Sequence, residues 1–598
     1  MKLYSFLIAL SVLAFASCRG GDEPLPGVDD GGTDQTGAPV SNVFLALNIV
    51  TDGAQTRGDL QFQDGTQIEN DVKSVRLYFF TANGTPAAVE PKRTPMNGNI
   101  ASFRSYFDFV PKNLSTTPDN NNVEKVLLTT IVKIDPGVEN SDKIPSHVVA
   151  VLNPAGLPEE NLTLDQLMDQ LDAYNTAQLT KSGTFVMSNS VYVDNDGFHV
   201  SATDIGGHIH HTEAEALGDP LEVTVERVVA RLDMAVVMNP LSNHPGVYDT
   251  GVEYNINDIA GEAPAYKGNI YVKFLGWNVT ATPAKSRLLK KIDPTWKEKL
   301  FGANSDEWNN PLRNRSHWAL NPEAPTFNYG DFGQALPGGM NPEGLPYTPD
   351  GLPANARKFG TGKAKVSTYL QENAAKFNNN GFAEPFDHSK VIIAAQLVQS
   401  DGVTPIPLAE WDFEYFTING LKTILAQSAG LYKMTTANGK TSYKEIEPSD
   451  ITFVSAGSLD PGIMNSSSKG RFYVYPKLKE GNTKWAASNA EGSPEIGYAA
   501  ANTTLQALGP VKIWSGGYTY YYFDIRHLGA LNFPGYFGVV RNHIYNAEIK
   551  SVASLGTPVY NPDEIIYPEK PDDTYSLLAA EIKVLLWRIV RKEIKLQW

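Results

Sequence analysis

The chain has 598 residues, of which 42% are hydrophobic, 10% aromatic and 19% charged. That length exceeds what one hydrophobic core usually serves, so at least two domains are expected, and the apolar content excludes an intrinsically disordered protein. The formal net charge of −16 disfavours nucleic acid and anionic lipid as partners. The single cysteine, Cys18, excludes an intramolecular disulfide.

The N-terminus has the pattern of an export signal. Met1 and Lys2 precede an apolar run, Leu3–Phe15, which is shorter than the about 20 residues of a membrane-spanning helix. Small residues follow immediately before Cys18, as at the site where bacterial lipoprotein signal peptidase cuts before a diacylated cysteine. We predict a lipoprotein signal peptide over residues 1–17 and lipidation of Cys18, with acyl chains such as palmitate, in preference to a buried free thiol.

Residues 18–57 combine a tether with a strand. The segment 19–40 is rich in Gly, Pro and Asp without periodicity, which predicts a flexible connection. The segment 43–50 alternates, and the intervening residues are mostly apolar as well, which predicts a strand buried on both faces. The alternating apolar positions are Val43, Leu45, Leu47 and Ile49.

The rest of the chain is predicted to be mostly β. Apolar runs bounded by Pro, Asn or Gly predict strands over Val72–Phe80, Val126–Ile134, His147–Leu152, Thr184–Met187, Leu221–Met238 and Asn269–Val279. One helix is predicted over Thr163–Tyr174, with Thr163 as its cap. The strand layout restarts near Asp219, so we expect two β-sandwich domains, 58–218 and 219–555, the second with long loops such as Asn310–Leu352.

Motifs for chemistry are weak. Metal-ligating residue types cluster in one stretch, but neighbours at one and two residues point to different sides unless a loop gathers them, so an exposed polar loop is the favoured interpretation. These residues are His199, His208, His210, His211 and Glu213. The segment Asn438–Thr441 lacks the first glycine of a phosphate-binding loop. We predict no catalytic, cofactor-binding or metal-binding residue, and therefore no enzyme.

The tripeptide Arg57-Gly58-Asp59 allows two competing interpretations. It matches the sequence that some integrins recognise, although three-residue matches are weak by chance alone. It also lies in a glycine-containing polar segment after a strand, where proteases find exposed backbone. A cut between Arg57 and Gly58 would split the tripeptide, so the two interpretations exclude each other.

Such a cut would detach the strand 43–50 and leave an apolar groove with unpaired backbone groups, a site for another strand. The C-terminus could supply that strand, because its even positions are apolar. They include Leu578, Ala580, Ile582, Val584 and Leu586. Apolar residues at helical spacing, such as Leu578, Ile582 and Leu585, keep an amphipathic helix open as an alternative. The proline-rich stretch Pro562–Asp573 is typical of an extended linker.

Taken together, these motifs resemble Bacteroidia-type (type V) fimbrillins. The resemblance rests on the leader, the Arg57-Gly58 junction and three internal segments, and it covers nearly the whole chain. The segments are Val223–Arg231 (VTVERVVAR), Arg315–Trp318 (RSHW) and Gly538–Tyr545 (GVVRNHIY). Within that family the chain is most similar to shaft subunits of the minor, or short, fimbriae.

The resemblance implies an all-β fold: two transthyretin-like β-sandwiches, a few short helices and a C-terminal donor strand following a linker, over residues 556–598. It also implies an outer-membrane lipoprotein precursor, cleaved after Arg57 by an arginine-specific protease, and polymerisation by donor-strand exchange. The expected partners are other copies of the chain and anchor and tip subunits, with membrane contact only through the lipid on Cys18. Arg227 and Arg541 are expected to order the fold and to bind nothing.

The sequence therefore predicts a structural shaft subunit of a cell-surface fimbria that supports adhesion and colonisation. The alternative is a tip adhesin or an anchor subunit of the same kind of fimbria. A tip needs an acceptor groove but no donor arm, and an anchor would keep its first strand and its lipid.

Overall fold

A computed structural model of the chain describes residues 43–51, 62–64, 69, 71–92, 103–110, 128–134, 143–154, 161–172, 185–193, 199–258, 263–292, 321, 327–328, 365–373, 388–459, 472–527, 538–562 and 578–588. The predicted leader, Cys18, Arg57, Gly58 and most of the loop 310–352 lie outside these residues. No helix within the described ranges is long and apolar enough to cross a membrane.

The N-terminal part of the chain consists of short strands, and the buried alternation of its apolar residues explains most of them. The strands are β1 (Val43–Thr51), β2 (Phe62–Asp64), β3 (Val75–Phe80), β4 (Val89–Pro91), β5 (Tyr106–Phe109), β6 (Leu128–Ile134), β7 (His147–Leu152), β8 (Leu171–Asp172), β9 (Met187–Asn189), β10 (Tyr192–Val193), β11 (His199–Val200), β12 (Thr203–Asp204) and β13 (Leu221–Arg227).

Most of these strands form one sheet in the order β4-β6-β1-β13-β9-β7-β3-β5, with β12 paired to β7. Strands from opposite ends of that order share one core: Val132 of β6 and Leu77 of β3 are both fully buried in the same cluster. The sheet therefore folds over on itself, which makes the first sandwich.

Within the described residues, two short helices accompany the first sandwich, α1 (Leu164–Met168) and α2 (Glu213–Gly218). Thr163 caps α1 as predicted, with Gln166 completing a capping box. The helix is shorter than the predicted 163–174, because the chain pairs again as a strand at Leu171–Asp172.

The second half of the chain begins where the backbone passes from the sheet of the first sandwich to a sheet of the second sandwich. The predicted strand Leu221–Met238 is two strands: β13 pairs in the first sheet, and β14 pairs in the second. The change of sheet falls at Val228, and the domain boundary near Asp219 stays a prediction. Its strands are β14 (Val229–Val236), β15 (Val247–Asn257), β16 (Tyr266–Thr280), β17 (Thr282–Pro283), β18 (Ser286–Arg287), β19 (Phe327–Asn328), β20 (Val366–Gln371) and β21 (Lys390–Val398).

A unit of mixed helices and strands follows. Its elements are β22 (Leu408–Trp411), β23 (Glu414–Phe416), α3 (Ile418–Ser428), β24 (Tyr432–Ala437), β25 (Lys440–Glu445), a 3-10 turn (Pro448–Asp450), β26 (Ile451–Ser455), α4 (Ala456–Leu459), β27 (Val474–Leu478), β28 (Lys484–Ala486), α5 (Tyr498–Gln506), β29 (Lys512–Trp514) and a second 3-10 turn (Ser515–Gly517). The chain ends with β30 (Tyr518–Asp524), β31 (His543–Val552), β32 (Thr557–Pro558) and β33 (Leu578–Arg588).

The second sandwich packs a five-stranded sheet, β2-β33-β31-β14-β20, on an eight-stranded sheet, β29-β22-β23-β15-β16-β21-β30-β32. Leu232 of β14 and Tyr545 of β31 on one side meet Trp277 of β16 and Ile393 of β21 on the other in one buried cluster. Two sandwiches in a mostly β chain confirm the predicted fold class.

The mixed unit is inserted between β21 and β30, which pair with each other, and its strands β22, β23 and β29 extend the eight-stranded sheet. It has a core of its own, in which Leu421 and Leu425 of α3 pack with Trp485 and Leu505. No element of this unit was predicted from the sequence. At Asn438 and Gly439, with φ of 53° and 74°, the chain makes the two-residue hairpin turn that Asn-Gly favours, between β24 and β25.

A layer of buried charge joins the two sandwiches. The guanidinium of Arg541 is fully buried; its Nε lies 2.6 Å from Glu372 Oε2, and two further N–H groups donate to the carbonyls of Leu288 (2.8 Å) and Arg287 (2.7 Å). Beside it, Lys290 Nζ lies 3.2 Å from Glu226 Oε1, and both side chains are buried. Since Glu226 belongs to β13 of the first sandwich and Lys290 follows β18 in the second half of the chain, this second ion pair crosses the junction.

A second set of buried contacts holds the segment around Glu69, which follows β2, against the second sandwich. The carboxylate of Glu69 is fully buried; it accepts from Arg231 (3.1 Å) and from the hydroxyl of Tyr369 (2.7 Å), both in the second sandwich. Its backbone carbonyl accepts from Arg227 Nε at 3.1 Å. Arg227 and Arg541 thus order the fold, as expected from their position in strand motifs.

Replacing Arg541 with Ala is expected to destabilise the protein by about 3–5 kcal/mol, because Glu372 would stay buried without its partner. Urea unfolding followed by tryptophan fluorescence measures the change. Lys484→Ala is the control, since its partner Glu495 is 48% exposed and a surface pair contributes about 0–1 kcal/mol. Equal losses in the two variants would contradict the assignment.

His543 predicts a loss of stability in acid. Burial lowers the pKa of its imidazole from 6.5 to about 3; its Nδ1 donates to the Arg541 carbonyl at 2.8 Å, and its Nε2 is buried without a hydrogen bond. Between those two pKa values the unfolded chain binds a proton that the folded chain does not, so stability is full above the unfolded value and falls as the pH is lowered.

We expect His543→Gln to reduce this pH dependence by up to about 1.4 kcal/mol per pH unit. The free energy of unfolding, measured in urea between pH 7 and pH 4, checks it. The slope against pH is the readout, so a general loss of stability in the variant does not obscure the result. Identical slopes in both proteins would contradict the role of His543.

Candidate functional site

The first strand, β1, lies in the interior of the first sheet. It pairs antiparallel with β6, from Val43 opposite Ile134 to Ile49 opposite Leu128. On its other edge it pairs parallel with β13, from Leu47 opposite Leu221 onward. Because both edges are bonded, removal of β1 would expose two rows of backbone donors and acceptors.

The inner face of β1 fills the core of the first sandwich. Leu45 and Leu47 are fully buried and pack in the same cluster as Val132, Val223 and Phe79. Burying side chains of this kind contributes roughly 1.5–3 kcal/mol each. Loss of the strand would therefore open apolar pockets as well as strand edges.

The outer face of β1 is covered too. Ala46 and Ala216 of α2 are both fully buried and pack together with Phe44, and Ile131 of β6 lies against them. Ala46 stands opposite Ile131 in the sheet. The position between sheet and helix is therefore filled by two methyl groups.

The helix α2 is held over β1 by several contacts. Thr212 and Glu215 form a capping box at its start. Lys92 pairs with Glu213 at 2.9 Å and lies over the ring of Phe44, 5.2 Å from its centre. These contacts fix α2 as a lid on the outer face of the strand.

The histidine-rich stretch belongs to the same lid. His210 exchanges two backbone hydrogen bonds with Phe44, of 2.7 and 2.9 Å. His208 Nδ1 and His210 Nε2 lie 3.3 and 3.2 Å from one oxygen of Asp219. The loop does bring two histidines to one carboxylate, whereas His199 is paired in β11. Across the described ranges no group of three or more His, Cys, Asp or Glu is placed to hold a metal ion.

The C-terminal segment is a strand, not a helix, over Leu578–Arg588. It pairs antiparallel with β31, and the predicted donor residues occupy alternating positions of that ladder. The partners are Leu578 with Val552, Ala580 with Ile549, Ile582 with Ala547, Val584 with Tyr545 and Leu586 with His543. The strand lies in the second sandwich of its own subunit.

The other edge of β33 has a much shorter neighbour. β2 pairs with it in parallel, from Phe62 opposite Leu586 to Asp64 opposite Arg588. β33 therefore has one antiparallel and one parallel neighbour, as β1 has in the first sheet. Within the described residues, only its last three residues are paired on the β2 side.

The predicted cleavage junction, Arg57-Gly58, lies between β1 and β2 in the chain. The strand before it belongs to the first sheet, and the strand after it to the second. Beyond β2 the chain is anchored by Glu69 in the second sandwich. A cut at Arg57 would thus separate β1 from a segment that has its own anchor.

Sequence reasoning missed the lid over β1 and the contact between β2 and β33. The capping-box spacing of Thr212 and Glu215 was a usable signal for α2. Strand β2 is three residues long and gives no periodicity to detect.

Comparison with known proteins adds one domain-level match. Residues 512–593 match the family model described as "Major fimbrial subunit protein type IV, Fimbrillin, C-terminal". No curated protein matches the chain.

Among solved structures, the chain is similar to a fimbrilin (fimA) from Porphyromonas gingivalis W83, with 12% identity, a TM-score of 0.36 and coverage of 92% of this chain and 98% of that one. It is also similar to the tip fimbrial protein Mfa3 from Porphyromonas gingivalis with C-terminal truncation, with 11% identity, a TM-score of 0.28 and coverage of 91% and 100%. With identities and TM-scores this low, the similarities establish no shared function.

The family match covers the strands from β29 to β33, including the β31–β33 ladder. The C-terminal part of the chain, residues 512–593, thus matches the C-terminal region of fimbrillins.

Proposed function

We propose that the chain is a structural shaft subunit of a bacterial surface fimbria, assembled by donor-strand exchange. The observation that carries this proposal is the position of β1: an interior strand, buried on both faces, that lies directly upstream of the Arg57-Gly58 junction. A cut at that junction makes β1 removable, and its removal creates a groove that only another strand can fill.

The driving force is the repair of the opened sheet. An incoming strand would restore backbone hydrogen bonds, each with a net contribution of about 0.5–1.5 kcal/mol, and would refill the pockets of Leu45 and Leu47. The donor is β33 of another copy, with Leu578, Ala580, Ile582, Val584 and Leu586 as its apolar positions.

The donor strand must first leave its own subunit. Most of one edge of β33 has no strand neighbour among the described residues, and the short contact with β2 involves Phe62–Asp64. Cleavage after Arg57 frees the upstream end of the segment that carries β2, so the same cut loosens this contact.

The sequence pattern completes the proposed pathway. The precursor is exported as an outer-membrane lipoprotein, acylated on Cys18, and an arginine-specific protease removes residues 18–57 with the lipid. The mature subunit then joins other copies, with anchor and tip subunits at the ends of the fimbria. The fibre serves adhesion and colonisation.

Digestion of the leaderless precursor with an arginine-specific protease is expected to yield a new N-terminus at Gly58 and a ladder of polymers. N-terminal sequencing and electrophoresis without boiling check the two results. Arg57→Gln is the control and is expected to stay monomeric, because β1 remains covalently attached. A product that is cut at Gly58 and yet stays monomeric in light scattering would contradict the proposal.

Deleting residues 573–598 removes the donor strand and is expected to stop polymerisation of the cleaved protein at the monomer. The cleaved variant should still accept a donor, so added to full-length subunits it should shorten their polymers. Deleting only residues 589–598, which leaves β33 intact, is the matched control. If the protein that lacks residues 573–598 formed normal polymers, β33 would be excluded as the donor. If the cleaved full-length protein capped fibres without extending them, the chain would fit a tip subunit instead.

A further inference from the structure

We propose that the incoming strand enters the groove in one register only, with Leu578 in the place of Leu45 and Ala579 in the place of Ala46. The residue that selects this register is Ala216 of the lid helix α2. This inference rests on the proposed function and adds the rule by which the groove recognises its strand.

The groove is closed on both faces at this point. Leu45 faces the sandwich core, while Ala46 faces Ala216, and all three side chains are fully buried. The start of α2 is held by a capping box, with the Lys92–Glu213 ion pair beside it, and Ala216 itself is fully buried. The groove thus accepts large aliphatic side chains inward and, at one position, only a small side chain outward.

The order of side chains in β33 meets this requirement once. Leu578, Ala579, Ala580, Glu581 and Ile582 would replace Leu45, Ala46, Leu47, Asn48 and Ile49 in that order. An aliphatic residue then stands at the inward positions of Leu45 and Leu47, and an alanine stands against the lid. The charged Glu581 falls where the native strand carries a polar asparagine.

In other registers, the residues of β33 do not fit the positions of Ala46 and Leu47. A shift by one residue puts Ala580 against the lid but brings Glu581 to the position of Leu47, an unpaired charge in an apolar core. A shift by two puts Glu581 itself against the lid, and the opposite shift puts a leucine there. Each alternative buries a charge or overfills a site that holds only a methyl group.

The direction of the strand is compatible as well. β1 has an antiparallel neighbour in β6 and a parallel neighbour in β13. β33 already pairs in that combination, with β31 and β2. A strand of this sequence can therefore pair with one antiparallel and one parallel neighbour, as the groove requires.

Two adjacent substitutions of equal size test the register. Ala579→Leu is expected to slow polymerisation of the cleaved full chain at least tenfold, because the added atoms meet Ala216. Ala580→Leu is expected to polymerise at least as fast as the unchanged protein, because it restores the leucine that the native strand carries at Leu47. Light scattering after protease addition gives the rates, and thermal unfolding of each uncleaved precursor checks its fold.

A crosslink locates the strand independently, with smaller changes to the chain. The only natural cysteine, Cys18, lies upstream of the cut and is removed. Ala216→Cys combined with Ala579→Cys is expected to give disulfide-linked ladders under mild oxidation, because Ala579 would take the place of Ala46, which packs in one cluster with Ala216. Ala216→Cys combined with Ala580→Cys, which places the second thiol on the inner face, is expected to give none.

The outcomes separate the register from the function. Polymers that form equally well with Ala579→Leu, or that crosslink through position 580, would overturn the register and leave strand exchange standing. Failure of the unchanged protein to polymerise after a clean cut at Gly58 would overturn the proposed function, and the register with it. A selective loss with Ala579→Leu together with the 216–579 crosslink would establish both.

Discussion

The backbone of β1 needs partners on both sides, and the rest of the molecule is arranged around that requirement. An edge strand can leave a sheet at the cost of one row of hydrogen bonds, whereas an interior strand leaves two rows and a vacant core. β1 is interior, bonded to β6 and β13, and enclosed between the sandwich core and α2. Such a strand stays in place while it is part of the chain, and once it has left, only a strand of similar pattern can replace it.

The buried charges between the sandwiches hold the two halves of the molecule together and are independent of β1. The pair Lys290–Glu226, which joins the two sandwiches, involves no residue of β1, and both residues lie downstream of Arg57. A cut at that position therefore leaves the junction between the sandwiches whole. Isolated buried ion pairs contribute little net stability, but breaking one is costly, so they favour a single arrangement of the two halves.

Local patterns allowed much of this to be predicted. The burial of β1 on both faces, over Phe44–Leu47, and the extent of His147–Leu152 follow from apolar residues close together in sequence, and the structure has both. The change of sheet at Val228 could not be found in this way, because Arg227 and Val228 are buried and no glycine or proline marks the turn. At the C-terminus, periodicity was compatible with helix and strand, and only the ladder with β31 decides between them.

The candidate site also has one part that the sequence predicts and another part that it does not. The alternation in the proposed donor strand was visible in the sequence, but the contact between Ala46 and Ala216, on which the proposed register depends, joins parts of the chain that are far apart in sequence. The inserted unit was missed although Thr417 caps α3 and Leu421 and Leu425 lie four residues apart on its buried side, because a short helix within a β protein is easily taken for a loop.

The separation of groove and donor decides what kind of assembly strand exchange produces. The groove lies in the first sandwich and β33 is anchored in the second, so the two surfaces of one contact differ. A contact between unlike surfaces does not close into a symmetric dimer; unless the rotation between subunits happens to close a ring, it continues as an open filament. In the proposed assembly each subunit offers one groove and one donor strand, and addition of a subunit fills one groove and presents another. Linear growth then follows from the position of two strands, without a further interface being required.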